Sequence, residues 1–408
     1  MVYMSRPLKE RTAEEINYLS EFKCLADKCP DTCCSNWEIN IKGRNKEFYK
    51  ENAPEIIGDI EDDGNGGAKM KQVGGPENVL GGDCIQLQNG MCKLQNKFGE
   101  SHLPDICFFF PRSYKKIHDK IHITANMACP ESLRVALFSR MENKFSSWNT
   151  VPISREKDEY GVFEYEDISC LSYKQIMDIY NSFSRLANDV EYSANQSVAR
   201  LLLVSFHLDQ NPLERWPSIK DAIYTMTDQL NLLHVKDLYL KNLNLKDELV
   251  SVLRVMFVLI NRDRRRFNEV LEIVRKTLGD HKTDPDILWD NYQKIKENWN
   301  SGQGPDLRPV LKNLLKVQVS CYMFPMDSYF PKRYQLMLNI AMEYLACKLA
   351  LMCVYSYLGR DLTQEDIIDT VQPVAKRFYV LGDQEVYDFG KDCGWDQKKR
   401  FITTVLSL

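Results

Sequence analysis

Cysteine is the residue whose placement in this chain most plainly implies chemistry. Eight of the 13 cysteines fall between residues 24 and 129, and the other five (Cys170, Cys321, Cys347, Cys353 and Cys393) are scattered over the rest. The densest group, Cys24, Cys29, Cys33 and Cys34, has the pattern C-x4-C-x3-C-C. Intervals this short let one loop turn several sulfurs toward one point, and Pro30 helps to curve the backbone between them. Cys84 and Cys92 follow, with Gly90 available for a turn between them. Cys107 comes next, in Leu103-Pro104-Asp105-Ile106-Cys107-Phe108-Phe109-Phe110-Pro111-Arg112, and then Cys129-Pro130-Glu131. Thiolates are soft ligands that select iron–sulfur clusters, zinc or copper(I). A cysteine followed by proline occurs at bacterial cluster sites.

A free cysteine is often only a small buried hydrophobe. That reading suits Cys321, Cys347 and Cys353, which lie in apolar helical stretches, but not eight cysteines with two adjacent. Four thiolates complete one [4Fe–4S] cluster, and eight could hold a cluster plus a zinc, or two clusters. Structural zinc sites usually show C-x2-C pairs. None occurs between residues 24 and 129, which favours iron–sulfur and keeps zinc as the alternative. His102, His118 and His122 are close in sequence but read as solvated or structural imidazoles.

The elements that must position these residues fall into two kinds. The 408 residues suit two or three domains, and the cysteine distribution places a boundary near residue 145. Residues 1–145 then form a cysteine-rich metal or iron–sulfur domain, and 146–408 an all-helical one. Ser146-Ser147-Trp148-Asn149-Thr150-Val151-Pro152 reads as the connector. The first part is rich in glycine turns, with short strand-capable pieces at Trp37–Ile41 and Ile117–Thr124. A small, irregular, metal-held domain fits that composition.

The second part shows apolar residues at helical spacing in Tyr173–Ala187, Ser193–Leu208, Lys246–Asn261, Arg265–Leu278, Leu307–Val319 and Tyr334–Leu358. Gly279 is a natural C-cap, Pro285 opens a further helix, and Thr363 with Asp366 caps another. The expected fold is therefore mainly α, a multi-helix bundle behind the cysteine-rich domain. No fixed-period repeat is present.

Bulk composition excludes some functions. The 53 basic and 57 acidic side chains leave a net charge of −4, so nothing favours nucleic acid as a partner. Tyr334–Leu358 is apolar but carries Asn339, Glu343 and Lys348, which suits a buried helix better than a membrane span. No secretory signal follows Met1, and a cytoplasmic protein is expected. In a reducing compartment 13 cysteines speak for metal binding rather than disulfides.

The run from Phe22 to Ile41 with Cys24, Cys29, Cys33, Cys34 and Trp37 resembles the amino-terminal signature of the flagellin lysine N-methylase (FliB) family. The segments around Cys84 and Cys92, Leu103–Arg112 and Cys129-Pro130-Glu131 match that family in the same order. The wider group has a CxxxCxxCC motif, from which the gaps of four and three residues here depart slightly. The resemblance implies a cytosolic bacterial enzyme that methylates lysine ε-amines of flagellin. It also implies S-adenosylmethionine as methyl donor and a required iron–sulfur cluster.

The residues themselves point less sharply to the methyl donor. Arg112 could bind the donor's carboxylate end bidentately, or serve as a surface ion pair. Tyr114 stands in the same position, and Tyr379, Tyr387 and Trp395 suit a core equally well. Gly64-Asn65-Gly66 follows Asp62-Asp63 and reads as a turn, not as the glycine loop of a Rossmann methyltransferase. The C-x3-C-x2-C loop of radical S-adenosylmethionine enzymes is absent. Two alternatives to the methylase stay open. One is a non-enzymatic metal-binding or chaperone-like interaction protein, and the other a redox or radical enzyme on the same cluster.

Overall fold

The computed structural model describes residues 9–35, 38–64, 67–74, 82–139, 144–153, 171–210, 221, 223, 245–258, 265–300, 306–322, 333–381, 404, 405 and 407. Asn36, Trp37, Asn65, Gly66, Cys170, Tyr387, Cys393, Trp395 and the side chain of Tyr379 lie outside this description.

The chain is mainly helical, with a small strand-containing N-terminal region ahead of a multi-helix region. Strand β1 (Lys9–Ile16) leads into the cysteine-rich stretch. That stretch holds β2 (Asn40–Ile41), α1 (Gly43–Asn52), β3 (Ile60–Asp62), β4 (Ala68–Met70), β5 (Gln72–Val73) and β6 (Asp83–Cys84). It continues through the hairpin β7 (Leu87–Gln88) and β8 (Met91–Cys92), then α2 (Lys93–Phe98) and α3 (Asp105–Phe109). A second hairpin, β9 (Arg112–Ile117) and β10 (Lys120–Ala125), precedes α4 (Pro130–Phe138) and β11 (Phe145–Ile153). The β9–β10 hairpin lies where alternating Ile117, Ile121 and Ile123 predict strands.

β11 corrects one expectation. The segment 146–152 is an edge strand and not a connector, paired antiparallel with β1 from Lys9↔Ile153 to Ile16↔Phe145. Its polar residues and Pro152 hide the strand in the sequence. An edge strand tolerates both, since only one side must complete a ladder. β1 pairs in parallel with β10 on its other side, giving a four-stranded mixed sheet in the order β11-β1-β10-β9. A register shift between Glu14 and Ile16 turns both Ala13 and Ile16 into the core.

The helical region follows the periodicity closely. α5 (Tyr173–Asn188) starts at a Ser172–Gln175 capping box, and α6 (Ala194–Gln210) comes next. α7 (Leu245–Val258), α8 (Arg265–Thr277) and α9 (Pro285–Asn300) follow. α10 (Arg308–Cys321), α11 (Arg333–Leu358) and α12 (Gln364–Leu381) complete the set among the described residues. Gly279 takes φ of 111° after α8, as a C-terminal cap requires. Thr363 Oγ1 accepts from Asp366 N at 3.1 Å, and Asp366 Oδ2 accepts from Thr363 N at 2.8 Å. α11 is long and apolar enough to cross a membrane, but 94% of its apolar window is buried inside the protein.

Cysteine content falls off near residue 145; packing does not. The larger apolar core joins Ala13, Ile123, Ala125 and Leu133 to residues of every helix from α5 to α12. The smaller core holds Cys34, Ile39, Tyr49, Met70, Cys84, Leu94 and Leu103, all between β1 and β9 in the chain. Cys321, Cys347 and Cys353 are buried in the larger core, as apolar helix positions predict.

Candidate metal centre and a second polar site

Seven of the eight early cysteines fall into two neighbourhoods. The first forms where short β-pairings fold distant segments together. Cys84 N donates to the Cys34 carbonyl at 2.7 Å, beside the Ser35–Asp83 bridge. The β7–β8 hairpin turns at Asn89 and Gly90, both at positive φ, and returns the chain so that Cys92 pairs with Leu87. The Cys34 thiol consequently makes side-chain hydrogen bonds with both Cys33 and Cys92, and the Cys84 thiol lies close enough to act on Cys34 and to feel Cys92.

The hydrogen bond to Cys33, with burial, pushes the Cys34 thiol up to about 12. Burial pushes Cys84 to about 11. The bond to Cys34, then burial, drives Cys92 higher still. These sulfurs therefore keep their protons in the metal-free protein, and a metal bound there would displace them.

The second neighbourhood is Cys24, Cys29 and Cys129, which belong to neither apolar core. Cys24 is exposed and accepts from Ala26 N at 3.4 Å, while Cys29 donates to the Asp31 carbonyl at 2.6 Å. Burial raises the Cys129 thiol to about 12, with Cys29 and Cys24 adding to the shift. α12 holds this region in place. Asp31 Oδ2 accepts from Lys376 at 2.8 Å and from Gln372 at 2.7 Å, and Gln372 also donates to the Ala128 carbonyl at 2.6 Å. Cys107 is half-buried on α3, against the smaller core.

Sulfur chemistry in the first neighbourhood suits a thiolate-bound metal. The fit is chemical rather than geometric, because among the described residues no three His, Cys, Asp or Glu side chains stand at coordinating positions. The thiols meet through Cys34, which bonds both Cys33 and Cys92. The residues that would hold a group there are Cys33, Cys34, Cys84 and Cys92.

Arg112 lies on the sheet. Its Nε is 3.3 Å from Glu15 Oε1, and its guanidinium stands 5.7 Å from the Phe22 ring centroid. Tyr114 packs edge-on against Phe109, and burial raises its hydroxyl pKa. His102 stacks on Phe48 at 4.2 Å with Nδ1 3.0 Å from the Phe98 carbonyl oxygen, and His118 Nε2 is 2.8 Å from the Leu171 carbonyl oxygen. Both are structural imidazoles.

His122 is different. Its Nδ1 is 3.3 Å from Glu14 Oε2 and its Nε2 is 3.2 Å from the Tyr173 hydroxyl. The parallel β1–β10 register sets Glu14 and His122 side by side. Sequence reading missed this constellation, since three residues separated by 108 and 51 positions carry no motif. Only the alignment of β1 with β10 would have found it.

The family model of the FliB lysine N-methylase C-terminal domain matches residues 172–379, half of the chain. The chain belongs to this FliB family. The flagellar biosynthetic protein FliU of Salmonella muenchen is 25% identical over 130 residues, covering 30% of this chain and 76% of that protein. The lysine-N-methylases of Salmonella typhimurium LT2 and Salmonella choleraesuis are also 25% identical over 130 residues, covering 30% of this chain and 32% of theirs. The aligned part of this FliB-family chain thus spans about a third of the length of those two methylases. No solved structure matches it.

Proposed function

We propose that this protein is a lysine N-methyltransferase that modifies flagellin in the cytoplasm. S-adenosylmethionine supplies the methyl group, and an iron–sulfur cluster, with zinc as the alternative, sits on the N-terminal cysteines. The observation that carries this reading is the FliB-family match through the helical region, on a chain whose cysteine segments resemble the same family.

Methyl transfer to lysine needs a neutral amine and a methyl donor held in line with it. The helical region and sheet supply buried aromatic and carboxylate groups suited to such binding. Cys33, Cys34, Cys84 and Cys92 would hold the metal group.

Two measurements test the proposal. Flagellin co-expressed with this protein should gain roughly 14 Da per methyl group on lysines by mass spectrometry, and unmodified flagellin would refute the activity. Anaerobically purified protein should contain iron and sulfide at about four per chain. Cys33→Ser should lower metal content while Cys347→Ser, deep in the larger core, should not. Equal metal in wild type and Cys33→Ser would remove the cysteine site.

A further inference from the structure

A cavity of about 960 Å³ lies between β1, α4, α5 and α10. Glu14 and Tyr173 line it, and His122 sits beneath them, fully buried. The imidazole is stacked on Tyr173, with ring centroids 5.8 Å apart, and Phe145 meets it edge-on at 5.1 Å. One ring nitrogen lies 3.3 Å from the carboxylate and the other 3.2 Å from the phenol, so the buried imidazole sits between the two groups at the cavity wall. Phe145, Tyr173 and Tyr180 on the cavity wall suit the methylenes of an alkylamine, and Glu14 suits its nitrogen.

We propose that Glu14 is the proton acceptor for a primary amine entering this cavity, the ε-ammonium of a lysyl side chain, with His122 and Tyr173 as positioning residues. The inference rests on the lysine-methylation reading. The ammonium nitrogen gives a proton to a Glu14 oxygen and becomes a neutral amine. Its lone pair forms the N–C bond to the methyl group of a sulfonium donor as the C–S bond breaks, and that electron pair leaves on sulfur as a thioether.

The surrounding charges favour proton loss over cation capture. Lys120 and His122 face Glu14 from β10, and Lys144, Tyr173, Arg185 and Lys316 line the same cavity. Lys120 beside the carboxylate and the cations on the cavity wall disfavour a further ammonium and favour the free amine, as desolvated or cation-flanked catalytic lysines show. Glu14 can take the proton that the amine must lose, since burial raises its carboxyl against the opposing pull of Lys120 and makes it a better base.

The test uses full-length protein. Methylation of flagellin should slow about 100-fold or more in Glu14→Gln at neutral pH. The deficit should shrink as pH approaches that of the free lysine amine, about 10.4. Tyr173→Phe should show a smaller loss with the same pH dependence, and circular dichroism should report an unchanged fold in both. Wild-type rates in Glu14→Gln across this pH range would overturn the proposal while leaving the methylase reading intact. Titration calorimetry with Nα-acetyl-lysine methylamide is independent of turnover. Its affinity should fall at least about tenfold in Glu14→Gln, and equal affinity, or no binding to wild type, overturns the assignment even if flagellin is never methylated.

Discussion

Glu343→Gln should stabilise the protein at pH 8 and do little near pH 4.5. Glu343 lies in the middle of α11 and is fully buried. The Tyr322 hydroxyl donates to its Oε2 at 2.9 Å, and Tyr322 is itself held through its carbonyl by Lys115 at 2.6 Å. Burial raises the carboxyl from 4.5 to about 7, against the opposing effect of Gln318 and Tyr322. The folded protein therefore keeps this proton over a pH range in which the unfolded chain has lost it. A raised carboxyl contributes stability below 4.5 that is lost as pH rises through about 7. The interval corresponds to about 3 kcal/mol.

Glutamine keeps a hydrogen-bonding oxygen for Tyr322 and carries no titrating proton. The variant should thus be more stable than wild type by about 3 kcal/mol at pH 8, with the difference near zero at pH 4.5. Urea unfolding at several pH values, followed by circular dichroism, measures it. Comparing the two proteins at each pH cancels every other titrating group. A stability difference independent of pH would refute the reasoning, and so would a wild type that gains on the variant as pH rises.

Two further outcomes follow from packing. Asp31→Ala removes the carboxylate that Lys376 and Gln372 bind across the two cores, and should cost about 1–3 kcal/mol, read as a lower thermal midpoint. Gly279→Ala should cost about 1 kcal/mol or more in chemical denaturation. Its φ of 111° is strained for alanine, and the new Cβ would stand 2.9 Å from both Leu288 and Thr283.

The helices were legible because each repeats an apolar stripe within a few turns, as Ile176, Ile179, Tyr180 and Phe183 do, and because caps such as Thr363–Asp366 are local. The cysteines were legible by spacing as potential ligands. Their division into two neighbourhoods was not, because Cys84, Cys92 and Cys129 reach their places through hairpins and strand pairing far apart in sequence. β1 escaped notice for the same reason. Lys9–Ile16 is mostly charged or polar, and it becomes an inner strand only because β10 and β11 supply its two ladders. The Glu14–His122–Tyr173 arrangement inherits that invisibility.

The position of β1 also orders events on the ribosome. This inner strand is made more than 100 residues before its partner β10, a delay of roughly 5–20 s at ordinary synthesis rates. Every residue of the smaller core leaves the ribosome within that interval. The Cys29–Cys34 loop gains its contacts with Gln372 and Lys376 only when α12 arrives, late in the chain. The sequence carrying Cys33, Cys34, Cys84 and Cys92 is therefore made in full before α12, which anchors the neighbouring Asp31, leaves the ribosome.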